Sequence, residues 1–266
     1  MKIHPTAIVD PGAELDSSVN VGPYVIIEKE VKISKETTIK PHTVITGPTT
    51  IGSGNMIGPF ATIGAPPQDL KYKGEDTDLV IGDNNQIREY VSIHRGTVGD
   101  KGITILGNCN LLMGYVHIAH DCVIGNSVIL ANAATLAGHV QIEDHAIIGG
   151  LVAVHQFSRI GAHSYIGGLS GISKDVPPFI IVSGIRKQIR ISGINKIGLR
   201  RQGFDKETLK KLDKAYKIIF MSPDLLLKDA LEQATGEIND CEPVKKLIDF
   251  FHNSKQGVIR TVETVD

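Results

Sequence analysis

A period of six residues runs through the first two thirds of the chain and restricts its fold more than any other feature. Steps of six from Ile3 to Ile63, from Ile81 to Ile93 and from Leu106 to Ile172 meet Ile, Leu or Val at all 26 positions. Six steps of about 100° would carry a residue to the opposite face of a helix. This region is therefore not helical, and short strands joined by tight turns fit the spacing.

A second selected position lies four residues after each aliphatic one. Apart from Ile63, whose hexad runs into the first break, it holds Ala, Val, Ser, Thr or Cys, with Asn55, Asn85 and Asn110 as exceptions. Two inward positions per hexad predict a parallel β-helix, in which single turns bury little and stacked turns bury a continuous aliphatic column. Residues about 18 apart are then expected to lie above one another, roughly 4.8 Å apart.

Two excursions leave the repeat, at residues 65–80 and 99–105, and loops of this kind often carry function. After Pro178 the period ends, and from about Ile191 the composition becomes helical, with Asp205 in the position of an N-cap. We expect a β-helix domain over residues 1–190 and a helical domain over residues 191–266 that caps the column.

Composition excludes several classes of function. Lys and Arg number 28 against 29 Asp and Glu, so no overall charge favours nucleic acid or an acidic membrane. No apolar stretch approaches the roughly 18 residues that would indicate membrane insertion. Three cysteines, an odd number without close spacing, favour a reducing compartment. We therefore expect a cytoplasmic protein.

Histidines gather in the second half of the repeat, at His117, His120, His139 and His155. His120 is the third residue of its hexad and His139 the fourth residue of the hexad one coil later, which places both on one edge. A single histidine in a turn is usually just solvated, but four on one edge favour a site. Imidazole titrates near pH 6.5 and can deprotonate a hydroxyl when a carboxylate orients it. Asp121 directly follows His120, so this pair is the candidate base.

Three functions fit histidines on such a column. One is a zinc lyase similar to the γ-class carbonic anhydrases, with three histidine ligands across a trimer interface. The second is a metal-free acyltransferase, and the third is a non-catalytic scaffold or carrier-protein binder. Bound zinc would indicate the first, and activity in the presence of chelator the second.

A local basic run follows the column. Residues 184–217 contain 11 Lys or Arg and 3 Asp or Glu. An acidic carrier protein or a diphosphate could bind the cations just past the column. No aromatic residue lies between Arg186 and Arg201, as single-stranded nucleic acid would require, so we exclude that partner. These cations are Arg186, Lys187, Arg190, Arg200 and Arg201.

The hexads resemble those of the hexapeptide-repeat family, in which three hexads form one coil of a left-handed β-helix. The handedness comes from this resemblance, because parallel crossovers are in general right-handed. More specific strings occur in order: IGAPPQDLKYKGE (63–75), HIAHDC (117–122), ANAATLAGHV (131–140), GGLVAVHQF (149–157) and KDVPP (174–178). They resemble the acyl-carrier-protein-dependent UDP-N-acetylglucosamine O-acyltransferases over about residues 1–220.

This resemblance implies transfer of a β-hydroxyacyl chain from acyl carrier protein to the 3-position of UDP-N-acetylglucosamine, the first step of lipid A synthesis. It implies a homotrimer with sites between subunits, no bound cofactor or metal, and a donor carried on the phosphopantetheine of the carrier protein. A 3-amino acceptor stays open. The related N-acyltransferase of the pathway carries an additional N-terminal domain, whereas the repeats here begin at Ile3.

The resemblance also assigns roles to residues. His120 is the general base, Asp121 supports it, and the Gly138 N–H is the oxyanion donor. Gly168 limits the depth of the acyl pocket, and as a glycine it leaves room for a long chain. Cys122, at an inward position, is expected to pack rather than act as a nucleophile. The residues matched to the substrate groove are Gln68, Asp69, Lys71, His117, His139, His155 and Gln156, with Arg201 near the diphosphate.

Overall fold

The structure, a computed structural model, describes residues 2–185 and 188–262. Arg186 and Lys187 of the basic run lie outside the described residues. The described part contains 28 short strands followed by four helices. Most strands have only two residues, because each hexad supplies one extended step before the chain turns.

Three sheets form the faces of a prism, and up to β26 each sheet takes every third strand of the chain. The first sheet contains β1 (Lys2–Ile3), β4 (Asn20–Val21), β7 (Thr38–Ile39), β10 (Met56–Ile57), β13 (Gln86–Ile87), β16 (Leu111–Leu112), β19 (Ile129–Leu130), β22 (Ile147–Ile148), β25 (Tyr165–Ile166), β27 (Ile180–Ser183) and β28 (Arg190–Ile194). The second contains β2 (Ile8–Val9), β5 (Ile26–Ile27), β8 (Val44–Ile45), β11 (Thr62–Ala65), β14 (Ser92–His94), β17 (His117–Ile118), β20 (Thr135–Leu136), β23 (Ala153–Val154) and β26 (Gly171–Ile172). The third contains β3 (Glu14–Leu15), β6 (Val31–Ile33), β9 (Thr49–Ile51), β12 (Asp78–Ile81), β15 (Ile103–Leu106), β18 (Val123–Ile124), β21 (Gln141–Ile142) and β24 (Arg159–Ile160).

The register of the sheets follows the hexads. Ile3 pairs with Val21, the equivalent residue of the next coil, and pairing stays parallel until β28 joins β27 in the antiparallel direction. The excursions do not disturb this stacking, since Ile63 pairs with Ile93 and Ile93 with Ile118. The left-handed parallel β-helix predicted from the sequence is confirmed.

Corners are turned by residues with a left-handed backbone, one place before the small inward residue. His42, Tyr90 and His139 have φ of 59°, 59° and 64°. A residue in this conformation directs its side chain outward at the edge of the prism, so equivalent corner positions form ladders of side chains. His139 belongs to such a ladder, which is how the fold places it at an edge.

The core is an aliphatic column, and the three asparagine exceptions lie inside it as a hydrogen-bonded ladder. Asn55, Asn85 and Asn110 are buried. Asn55 Oδ1 accepts from the Asn85 N–H at 2.9 Å, and Asn85 Oδ1 accepts from the Asn110 N–H at 2.9 Å. Each side-chain amide donates in turn to a glycine carbonyl. Buried amides are stable here because every polar atom finds a partner.

Four helices complete the described chain: α1 (Lys196–Arg201), α2 (Lys206–Phe220), α3 (Leu227–Glu237) and α4 (Glu242–His252). Asp205 caps α2 as expected, since its Oδ1 accepts from the Thr208 N–H at 2.8 Å. Helix α4 is tied to the prism by Lys246, whose Nζ lies 3.2 Å from Glu143 Oε2. We propose the division into two domains near residue 190, with β28 as the connection between them. Within the described ranges, no helix is long and apolar enough to cross a bilayer.

Candidate active site

Two histidines meet at the corner between the second and third sheets. His120 follows β17 and His139 follows β20, one coil further on. Their ring centroids are 5.0 Å apart and the rings are perpendicular, at 89°. The hexad positions of these two residues thus bring their imidazoles into contact at one edge.

The carboxylate of Asp121 orients the His120 ring. His120 Nδ1 lies 2.8 Å from Asp121 Oδ2, and the Asp121 side chain is fully buried. Thr97 holds the same carboxylate, with its N–H 2.9 Å from Oδ1 and its hydroxyl 2.6 Å from Oδ2. The carboxylate oxygens accept from both Thr97 donors and from the Nδ1–H of the imidazole. His120 Nε2 is therefore left with a free lone pair.

Gly138 lies directly against the His120 ring. A Cβ at this position would be 2.5 Å from His120 Cε1 and 2.8 Å from Nε2, so only glycine fits beside the imidazole. The Gly138 N–H donates no hydrogen bond to any residue that the structure describes. A buried, unpaired backbone donor next to a base can stabilise an oxyanion.

His139 has its own carboxylate partner and its own stacking partner. Its Nδ1 lies 2.9 Å from Asp100 Oδ2. Its ring stacks on Phe157, with centroids 4.4 Å apart. Sequence reasoning missed both partners, as well as Thr97. Phe157 could have been found, because it occupies the position equivalent to His139 in the next coil. Thr97 occupies the small inward position of the hexad that begins at Ile93, but the hexad does not encode its contact with Asp121, and Asp100 lies in an irregular segment.

His117 lies on the face of the second sheet, beside the corner rather than on it. Its Nδ1 is 2.8 Å from Ser92 Oγ, and its ring meets His94 edge to face at 5.2 Å. Burial, and to a smaller extent the neighbouring His94, lower the pKa of His117. His117 is thus a neutral hydrogen-bonding group at neutral pH. His94 Nδ1 donates to the Pro66 carbonyl at 2.7 Å and so connects this face to the first excursion.

The first excursion contributes Asp69 and Lys71 to a cavity of about 600 Å³ that Asp100, His139 and Phe157 also line. Asp69 Oδ1 accepts from the Lys71 N–H at 2.9 Å, which shapes the tip of the loop. Gln68, next to Asp69, is exposed. The two excursions therefore form walls of one cavity beside the histidine corner.

Other candidate residues lie apart from the histidine pair. His155 and Gln156 are exposed one coil beyond His139, and His155 Nδ1 donates to the Gln156 carbonyl at 3.0 Å. Gly168 follows β25 at the corner between the first and second sheets. Arg201 ends α1 and lines a separate cavity of about 460 Å³ over the first sheet. Within one chain, the residues predicted to line the substrate groove therefore do not lie together.

Cys122 is buried in the column, where burial raises the pKa of its thiol to about 12. It therefore stays a thiol at neutral pH, in keeping with packing rather than nucleophilic attack.

His120, Asp121 and His139 also form a group whose ligand atoms are close enough together to hold a metal ion. His120 Nδ1 and the Asp121 carboxylate are hydrogen-bonded to each other and to Thr97, and His139 Nδ1 is bonded to Asp100, an arrangement that suits proton transfer.

A prism of hexads with an imidazole–carboxylate pair at one corner is the architecture of a hexapeptide-repeat transferase. The family model for bacterial transferase hexapeptide (six repeats) matches residues 30–65, and that for UDP N-acetylglucosamine O-acyltransferase, domain 2, matches residues 175–259.

Named relatives match nearly the whole chain. Acyl-carrier-protein–UDP-N-acetylglucosamine O-acyltransferases from Paraburkholderia phymatum and Thermodesulfovibrio yellowstonii are each 53% identical, covering 97% of this chain and 99% of theirs. The crystal structure of LpxA from Acinetobacter baumannii matches with a TM-score of 0.93 at 47% identity, covering 98% of this chain and 100% of that one. LpxA from Bacteroides fragilis gives 0.94 at 46%, covering 97% and 100%. The chain belongs to the UDP-N-acetylglucosamine O-acyltransferase family. These matches support the O-acyltransferase and do not support the two alternatives, a zinc lyase and a related N-acyltransferase.

Proposed function

We propose that this enzyme transfers a β-hydroxyacyl chain from acyl carrier protein to the 3-hydroxyl of UDP-N-acetylglucosamine, the step that opens lipid A synthesis. The relatives named above carry acyl carrier protein and UDP-N-acetylglucosamine in their names. The observation that carries the proposal is the contact of Gly138 with the His120 ring, because it joins a base and an unpaired backbone donor.

The chemistry follows from these two groups. His120 Nε2 takes the proton of the sugar 3-hydroxyl, and the oxygen attacks the thioester carbonyl carbon. The carbonyl oxygen gains negative charge, which the Gly138 N–H stabilises; a donor of this kind contributes about 2.7 to 4 kcal/mol. When the carbon–sulfur bond breaks, the imidazolium returns its proton to the pantetheine sulfur. A positioned base typically adds a factor of about 10² to 10⁴.

A homotrimer would complete the groove. Gly168 and Arg201 face different sides of the prism from His120, so neighbouring subunits would have to supply the missing walls. A ladder of exposed, stacked rings also runs along the corner between the first and second sheets, with successive centroids 4.8 to 5.1 Å apart. Burial of this exposed ladder against another subunit would stabilise a trimer. Its members are Tyr24, His42, Phe60, Tyr90 and Tyr115.

The acidic carrier protein is proposed to dock on the basic run. Lys211, Lys214 and Lys217 each pair with an acidic residue of the helices. Arg200, Lys206 and Lys210 line a cavity of about 300 Å³ and take part in none of the ion pairs found among the described residues. Unpaired cations of this kind suit an acidic partner.

The three free cysteines agree with a cytoplasmic setting.

The decisive experiment is a product assay. The purified protein is incubated with UDP-N-acetylglucosamine and a panel of acylated carrier proteins, in the presence of chelator, and the products are weighed by mass spectrometry. We expect a singly acylated sugar nucleotide with a long β-hydroxyacyl chain and no loss of rate in chelator. Absence of acylated product from every donor would contradict the proposal.

A further inference from the structure

The segment between β14 and β15, residues 95–102, contacts His139 directly through Asp100 and reaches His120 through the Asp121 carboxylate. We propose that this segment, called the brace segment below, gives each histidine a carboxylate of its own, with Thr97 and Asp100 as positioning residues. The inference rests on the proposed function, because the histidines matter only if they act on substrate.

The brace segment has a shape of its own that does not depend on the histidines. The Arg95 side chain is buried and donates to the carbonyls of Gly47 and Gly64. The Thr97 carbonyl accepts from the N–H groups of Asp100, at 3.2 Å, and Gly102, at 3.0 Å. These bonds hold the segment as a compact turn against the prism, so it can impose geometry on its neighbours.

Thr97 fixes the plane of the Asp121 carboxylate. Its N–H binds Oδ1 and its hydroxyl binds Oδ2, the same oxygen that accepts from His120. Rotation of the carboxylate would break at least one of these bonds inside a buried site, where an unpaired charged oxygen is costly. The direction of the His120 ring is therefore set through Asp121 by Thr97.

Asp100 prevents the second imidazole from competing for the same carboxylate. His139 Nδ1 is 2.9 Å from Asp100 Oδ2 but also only 3.9 Å from Asp121 Oδ2. Without Asp100, the nearest anion for a protonated His139 is the carboxylate that orients the base. Asp100 thus leaves Asp121 to His120 alone. The charged groups that line the adjoining cavity are Asp69, Lys71, Asp100, Lys101, His139 and Lys255.

The test compares kcat, KM and the pH profile of kcat/KM for the unaltered protein and for Thr97→Val, Thr97→Ser and Asp100→Asn. Val98→Ala is the matched control, because Val98 lies in the same segment with an exposed side chain. We expect Thr97→Val to lower kcat about 10- to 100-fold with little change in KM, since the base is misplaced while the groove remains. Thr97→Ser should restore most of the rate.

The pH profile distinguishes positioning from mere support of the fold. Without the Thr97 hydroxyl, Asp121 Oδ2 accepts one hydrogen bond fewer and attracts a protonated His120 ring more strongly. The protonated, inactive form of the base should therefore persist to higher pH, and the acid limb of kcat/KM should move in that direction. Asp100→Asn should give a few-fold loss of kcat, smaller because Asp100 is 40% exposed. If Thr97→Val fails to fold, Asp100→Asn against Val98→Ala decides the matter.

Full kcat in a folded Thr97→Val, or in Asp100→Asn when it is the only folded variant, would overturn the inference and leave the proposed function intact. A Thr97→Ser variant as slow as Thr97→Val would likewise overturn it. If the unaltered protein forms no product, the proposed function and the inference both fall.

Discussion

At the scale of single residues, the site depends both on the groups that residues supply and on the absence of a side chain at Gly138. Gly138 supplies only a backbone N–H, and the absence of a side chain lets the His120 ring lie against it. Asp121 has the left-handed backbone of a corner, with φ of 59°, so its side chain turns toward His120. The corner conformation thus places the base and its carboxylate at one edge.

Gly138→Ala tests this close approach. The added Cβ would be 2.5 Å from His120 Cε1, so the ring must move away from the donor. We expect kcat to fall at least about 100-fold while the fold is retained, because a displacement of about 1 Å costs that much. Gly150→Ala is the control, since its Cβ would come no nearer than 3.4 Å to another residue. Equal rates for both variants would refute this role of Gly138.

Residue-level predictability differed between the regular and irregular parts of the chain. The hexads predicted which residues face inward, and the 18-residue coil predicted that His120 and His139 lie at the same edge. Thr97 was predicted only as a small inward residue; its hydrogen bonds to Asp121 and the position of Asp100 were missed because they depend on the path of a loop. The three buried asparagines were recognised only as exceptions to the small inward position. Their ladder was not predicted, since its hydrogen bonds run between coils.

At the scale of elements, the junction between the prism and the terminal helices contains a stacked histidine pair. The rings of His145 and His163 are 4.7 Å apart, and Phe204, just before α2, meets His163 edge to face. Burial lowers the pKa of His163 to about 4, with smaller contributions from His145 and Lys246, while Asp144 acts in the opposite direction. The folded junction therefore favours neutral His163.

This shift predicts a pH dependence of stability. The unfolded chain binds a proton near pH 6.5 and the folded chain only near pH 4, so folding stability falls as pH decreases through this window. We expect His163→Phe to reduce the fall by about 1 to 2 kcal/mol, less than the full shift implies because the ring is partly exposed. Urea unfolding at pH 7 and pH 4.5 measures it. An equal pH dependence in both proteins would contradict the assignment.

At the scale of the whole molecule, the proposed groove requires more than one chain, because Arg201 and His120 lie on different sides of the prism. The sequence was sufficient to predict the column and the helical end, since both follow from local patterns. The proposed assembly was expected from the resemblance and from the lack of a second wall beside the histidines, and no local pattern predicts it because the faces that would meet belong to separate chains.

Mixing two impaired variants tests the shared groove. His120→Ala and Arg201→Glu are each expected to be nearly inactive, one lacking the base and the other the cation for the diphosphate. In mixed trimers, about a quarter of the sites would combine an intact His120 with an intact Arg201 from a neighbour. We expect co-refolded mixtures to regain activity in that proportion. Mixtures as inactive as the separate variants would place both groups in the same chain's site.

The most direct single measurement is the turnover number of His120→Ala, with sedimentation used to confirm that the assembly is unchanged. Loss of the general base should reduce kcat for acyl transfer by about 10² to 10⁴-fold, while the affinity for UDP-N-acetylglucosamine is retained. Turnover equal to that of the unaltered protein would contradict the role of the corner imidazole in deprotonating the acceptor hydroxyl.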